Sequence, residues 1–172
     1  LMTHGFWEWD GSSFEKYQDD VMMVVARGIA KYEILNSPAS MSDKRFAFLS
    51  KAIQWGKANW DILVDTRMIL GNPSKAEVYG YSHIGPNAAI IFVRNPQIES
   101  RNVDLTFAAL GIAADSNLCK AKSLKAYEIY PGYRETDWNG SAGSPIAIHL
   151  LGSQTKCIVI VADEKLLERL RL

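Results

Sequence analysis

The sequence predicts an α+β protein: helices with a single strand, followed by an antiparallel β-sandwich. Three observations carry this. The apolar period is about 3.6 through the first third of the chain and changes to 2 after Asn72-Pro73. Six short runs of strand composition then follow, separated by Gly, Pro and Asn turn signals. And 172 residues with 48% hydrophobic content are enough to bury a real core.

The elements follow in order. Ser12 or Ser13 caps a helix whose stripe is Phe14, Tyr17, Val21 and Val24, widened by Met22, Met23, Val25 and Ala26 and ended by Gly28. Ile29 to Leu35 has the length and composition of one strand, stopped by Asn36-Ser-Pro38. Strand parity puts Lys31 and Glu33 on one face, which suits an interior carrying polar groups. The clearest helix is capped at Ser42 and runs to Val64, with Phe46, Leu49, Ile53, Gly56, Trp60 and Leu63 in its stripe. Phe48, Ala52, Trp55 and Ile62 broaden that face, so Trp55 and Trp60 read as core. Gly56 within it predicts the close approach of another backbone, since glycine costs about 1 kcal/mol against alanine in a helix.

Beyond Pro73 the predicted strands are Glu77 to His83, Ala88 to Val93, Asn102 to Phe107, Leu124 to Tyr130, Pro145 to Leu151 and Cys157 to Ala162. Gly152 to Thr155 reads as a hairpin joining the last two. Residues 163–172 form a C-terminal tail with the composition of a short or frayed helix. The division is therefore 1–74 helical, 75–162 sandwich and 163–172 tail.

Lys plus Arg and Asp plus Glu number 19 each. That balance gives no electrostatic attraction toward nucleic acid or an anionic membrane, and neither is expected as a partner. No apolar run approaches the roughly 20 residues of a membrane-spanning helix. The opening Leu1-Met2-Thr3-His4-Gly5 has no signal-peptide pattern. Cys119 and Cys157 allow one disulfide, although Cys157 lies in an apolar run where a buried thiol is equally at home. His4, His83 and His149 have no metal-ligand spacing, and no cofactor is expected.

Two stretches, Arg67-Met-Ile-Leu-Gly-Asn-Pro73 and Glu77-Val-Tyr-Gly-Tyr81, lie where the long helix gives way to strands. With the helix–strand–helix order before them, they resemble the junction between catalytic barrel and C-terminal sandwich in α-galactosidase-like glycoside hydrolases. The resemblance implies that Ile29 to Leu35 and Ser42 to Val64 correspond to the last strand and helix of a (β/α)8 barrel. The role it implies is structural and not catalytic by itself. Retaining glycosidases use two carboxylates roughly 5 Å apart, and in this clan they sit on earlier barrel strands. The implied partners are carbohydrate and either the remainder of the barrel or a second copy of the chain.

The loop cluster His4, Trp7, Glu8, Trp9 and Asp10 would then stand at the C-terminal end of a barrel strand, where barrel active sites gather. His4, Trp7, Trp9 and Asp10 are the substrate-binding candidates, because indole faces stack on sugar rings and the polar groups bind hydroxyls. The blander reading is that the tryptophans cover the rim. Lys31 and Glu33 could orient a catalytic group or form a structural ion pair. Tyr79, Tyr81 and His83 share a strand face and form either an aromatic platform or an inter-element core. Trp138, in Asp137-Trp-Asn-Gly140, is the residue a free-standing carbohydrate-binding module would need. Nothing in the sequence pairs Glu128 with Glu135 as acid and base.

Overall fold

The protein is seen in a computed structural model that describes residues 13–28, 41–138 and 140–172. The candidate strand at Ile29 to Leu35, with Lys31 and Glu33, lies outside the described residues, as does the His4 to Asp10 loop.

Helix α1 (Phe14–Val25) begins where Ser13 Oγ accepts the Lys16 amide at 3.2 Å. Past it, Gly28 takes φ +57°, and a Cβ there would collide with Thr66 Oγ1 and the Leu63 carbonyl oxygen. The long helix is two. Helix α2 (Asp43–Ala58) stops at Asn59, whose backbone leaves helical geometry at φ −111°, ψ 19°, and α3 (Trp60–Leu63) follows. Asn59 is fully buried, and its Nδ2 donates to the Trp55 and Arg169 carbonyls. Periodicity cannot see that break, because the apolar spacing continues through it. Ser42 holds the cap position without a side-chain bond.

Eight strands follow: β1 (Thr66–Leu70), β2 (Tyr79–Ile84), β3 (Ala88–Arg94), β4 (Arg101–Leu105), β5 (Lys125–Tyr130), β6 (Arg134–Glu135), β7 (Ile146–Leu150) and β8 (Thr155–Val161). Six form one antiparallel sheet in the order β1-β2-β3-β8-β5-β6, while β4 and β7 pair separately. The sheet therefore begins at Thr66, inside the stretch read as helical from sequence. Its strand β1 joins β2 through a turn built by Asn72, whose Oδ1 accepts the Ser74 amide at 2.9 Å, and by Glu77, whose carboxylate accepts the Asn72 amide at 2.7 Å.

The hairpin expected at Gly152 to Thr155 is not one. β7 and β8 belong to different sheets, and the link crosses between them. Burial gives the reason. β7 alternates buried and exposed, as a strand with one wet face does, whereas β8 is buried at every position and needs the middle of a covered sheet. The run expected to reach Phe107 as strand ends at Leu105. Thr106 Oγ1 then accepts the Ala109 amide at 3.1 Å and opens helix α4 (Phe107–Leu110). A further short helix, α5 (Asn117–Lys120), precedes β5.

The six-stranded sheet thus has two dry faces. Ala88, Ile90 and Phe92 of β3 and Cys157, Val159 and Val161 of β8 face the helices, packing with Met22, Trp55 and Leu63. Ala89, Ile91, Val93, Ile158 and Ile160 face the small sheet, with Leu105, Ile146, Ile148 and Leu150. A bulge between Glu128 and Tyr130 puts both Ile129 and Tyr130 on the helix side. Cys119 and Cys157 are free thiols that pack into cores on opposite sides of the sheet, so they form no disulfide; burial pushes the Cys157 thiol well up.

The C-terminal residues do not fray. A 3-10 turn (Glu164–Leu166) leads into α6 (Leu167–Leu170), Leu170 is fully buried, and its carbonyl accepts Trp55 Nε1–H at 2.9 Å. Trp55 itself lies edge-on to Phe92, with ring centroids 6.2 Å apart. It is core, as read, while Trp60 is half-buried. Gly56 does not mark a backbone contact. The nearest atom to a Cβ there would be a Val25 methyl at 3.6 Å, an ordinary packing distance.

Candidate functional site

The substrate-binding candidates His4, Trp7, Trp9 and Asp10 lie outside the described residues, which comprise the sandwich and its helical cover. Tyr79 and Tyr81 form no open platform. Both are half-buried and meet edge to face at 6.3 Å on the helix side of β2. Their neighbour His83 is fully buried, its Nδ1 lying 3.0 Å from the Leu63 carbonyl and 3.3 Å from Thr66 Oγ1. Burial pushes its pKa down to about 4, against the pull of the Leu63 and Ala26 carbonyls. The imidazole is neutral at pH 7 and ties the end of α3 to β2. Trp138 is no exposed lectin-like side chain either. Its Nε1–H donates to the Ser144 carbonyl at 3.1 Å and its ring leans on Phe107 at 5.8 Å.

Two polar clusters stand out among the described residues. The first joins α1 to the sheet. Asp19 is buried, accepting the Tyr130 hydroxyl at 2.7 Å and the Thr155 amide at 3.1 Å. Burial raises the Asp19 pKa in spite of those donors and of Arg94 nearby, and it raises the Tyr130 pKa as well. Arg94 bridges onward, to Asp20 at 3.3 Å and to Thr155 Oγ1 at 3.0 Å.

The second cluster lies on the other face. Glu128 Oε2 accepts from Lys156 Nζ at 2.8 Å and from Arg134 at 3.0 Å. Strand register explains the meeting. Arg134 is directly opposite Glu128, and Lys156 is two residues from the partner Ile158, so all three project toward the small sheet. Glu128 and Lys156 are each only 7% exposed, in a sandwich interior that is mostly apolar. They line a cavity of about 360 Å³ between this end of the sheet and β7, together with Asp137, Trp138, Pro145 and Ile148.

Glu135, the other acid considered with Glu128, points elsewhere and pairs with Lys125 at 3.4 Å. Glu128 is held between two cations. The sequence carried a signal for this cluster. Parity places Glu128 on the same face as apolar Ala126, an odd position for a charge. Lys156 escaped because the last strand was read from Cys157, two residues past its start at Thr155. Among the described residues no group of three His, Cys, Asp or Glu side chains could hold a metal, and no helix is long and apolar enough to cross a membrane.

Comparison with known proteins places the fold. No family model matches the sequence, and no curated protein does. Solved structures match closely in shape and distantly in sequence. A Bacillus halodurans protein bearing the provisional name α-N-acetylgalactosaminidase superimposes with a TM-score of 0.62 at 11% identity, over 91% of this chain and 34% of its own. The α-galactosidase I of Mortierella vinacea gives 0.58 at 10% identity, over 87% and 36%. A β-L-arabinopyranosidase of glycoside hydrolase family 27 from Geobacillus stearothermophilus gives 0.55 at 10%, over 86% and 30%. The chain spans about a third of the length of the structures it matches. It shares its fold with a portion of these glycoside hydrolases, consistent with the C-terminal portion that the junction motifs indicate.

Proposed function

We propose that this chain is the C-terminal structural region of a glycoside hydrolase acting on carbohydrate, and that it is not catalytic by itself. The observation that carries the reading is the single core shared by the helices and the sheet. Trp55, Met22 and Leu63 pack directly on Phe92, Ile90 and Val159, so helix layer and sandwich form one rigid block. A sheet dry on both faces and bolted to helices is a buttress. Its match to a third of the length of larger hydrolases gives that buttress something to support.

In this reading the remainder of a catalytic barrel covers the helix layer and supplies the two carboxylates. Phe46, Val64 and Met68, exposed at 45%, 53% and 49%, are apolar groups that such a contact would bury. The His4 to Asp10 loop lies at the barrel rim, where Trp7 and Trp9 stack on the substrate ring and His4 and Asp10 bind its hydroxyls. The free-standing module is the weaker alternative, because it needs an exposed aromatic row and Trp138 is pinned to Phe107 and Ser144.

The test is to read the open reading frame upstream of Leu1 and assay aryl α-galactoside hydrolysis by the encoded full-length protein and by this chain. Activity in the longer protein alone, lost on Trp7→Ala, supports the proposal. Turnover by the isolated chain, or a stop codon just upstream, overturns it.

A further inference from the structure

We infer that the cavity at the β5–β6 end of the sandwich is a binding site for a neutral polyhydroxyl ligand the size of one or two sugar rings. The inference does not depend on the barrel reading, since every group involved belongs to the sandwich.

A buried ion pair is rarely worth its desolvation against apolar side chains of equal volume, so one lining a cavity calls for a use. Glu128 receives both its bonds on Oε2, and Oε1 accepts no hydrogen bond from the described residues. Lys156 Nζ donates once, to Glu128, which leaves two of its three donors. The cavity therefore presents a free acceptor and free donors side by side, fixed in place by the sheet.

Charge selects the ligand class. Glu128 and Asp137 balance Arg134 and Lys156, so neither an anion nor a cation is favoured over a neutral molecule. An apolar ligand would strip water from the Glu128–Lys156 pair and return nothing. What fits must both donate and accept at close spacing and also offer a C–H face to the Trp138 and Pro145 wall. A sugar ring does all three. The volume of about 360 Å³ falls at the small end of ligand sites. Among the described residues β7 pairs with β4 alone, and its Ile146, Ala147, Ile148 and His149 form the far wall.

The experiment is a titration of the ¹⁵N-labelled chain with galactose, arabinose and glucose, followed by amide shifts. Saturable binding by at least one sugar is expected in the millimolar range, about 1–10 mM, with shifts confined to β5, β6, β7 and the 136–145 loop. The paired variant Glu128→Gln/Lys156→Gln removes both charges together and is expected to weaken binding about tenfold. Should that variant fail to fold, Asp137→Asn and Asp137→Lys, at an exposed residue of the lining, carry the same test without touching the buried pair. No saturable shift with any of the three sugars up to about 50 mM overturns the inference. So does binding that maps elsewhere or is indifferent to these variants. Shifts along β7 that depend on protein concentration and not on sugar would overturn it too, assigning the β7 edge to a second copy of the chain.

Discussion

Lowering the pH from 8 to 5 removes stability that His83 contributes, and this contribution can be isolated. Its imidazole is fully buried between the Leu63 carbonyl, Thr66 and the Phe92 ring, and its pKa is pushed from 6.5 down to about 4. A depressed base binds its proton more tightly in the unfolded chain. The stability it contributes is complete above pH 6.5 and is lost as the pH falls toward 4. The displacement amounts to about 3 kcal/mol in the acid limit, of which about 2 kcal/mol is gone by pH 5. Asp19 works in the opposite direction. Its raised pKa favours the folded state at low pH, and that contribution is lost as the pH rises through the folded value. Net stability alone therefore cannot separate the two. Urea titrations of the parent and of His83→Asn at several pH values can. Asparagine does not titrate, and its amide nitrogen can still reach the Leu63 carbonyl. At pH 8 the variant should be less stable by about 1–3 kcal/mol, through the lost ring contact with Phe92 and the space left behind. By pH 5 that gap should shrink by about 2 kcal/mol, because the parent alone has paid the His83 proton. A gap constant between pH 8 and pH 5 would refute the reasoning.

Four other perturbations test the packing. Gly56→Ala should stabilise by up to about 1 kcal/mol in urea melts, since the Val25 methyl at 3.6 Å leaves room and glycine is a poor helix former; a loss would mean that α1 cannot accommodate the methyl. Asn95→Ala should cost about 2–4 kcal/mol, because this buried side chain donates to the Glu99 and Leu151 carbonyls and accepts the Gln97 amide. Lys156→Met should cost about 2–3 kcal/mol by leaving buried Glu128 with the exposed Arg134 in place of two cations, with a smaller loss in the paired Gln variant, and thermal unfolding compares the two. Deleting residues 163–172 should destabilise by several kcal/mol and raise amide exchange in α2, for it exposes the Leu170 socket, orphans Trp55 Nε1–H and removes one of the two Asn59 Nδ2 hydrogen bonds; a truncated chain of unchanged melting temperature would show that α6 is dispensable.

Local pattern alone determined much of this protein. Short runs of strand composition bounded by turn residues located β2, β3, β4, β5, β7 and β8 to within a few residues, whether alternating as in β4 or continuously apolar as in β3. Ser13 as a cap, Trp55 as core and the junction motifs that resemble the hydrolase fold were legible for the same reason: each depends on neighbours in sequence. Long-range partners decided the rest. At the break, Asn59 Nδ2 donates to the Arg169 carbonyl, 110 residues away, a partner that no local pattern shows. The link from β7 to β8 looks like a hairpin until the sheet claims β8 on both sides. Glu128 and Lys156 are 28 residues apart and meet only through register across β5 and β8. Residues 163–172 look like a tail until Trp55 bonds Leu170. A one-dimensional pattern records which face of an element is apolar, and only the fold decides which element that face meets.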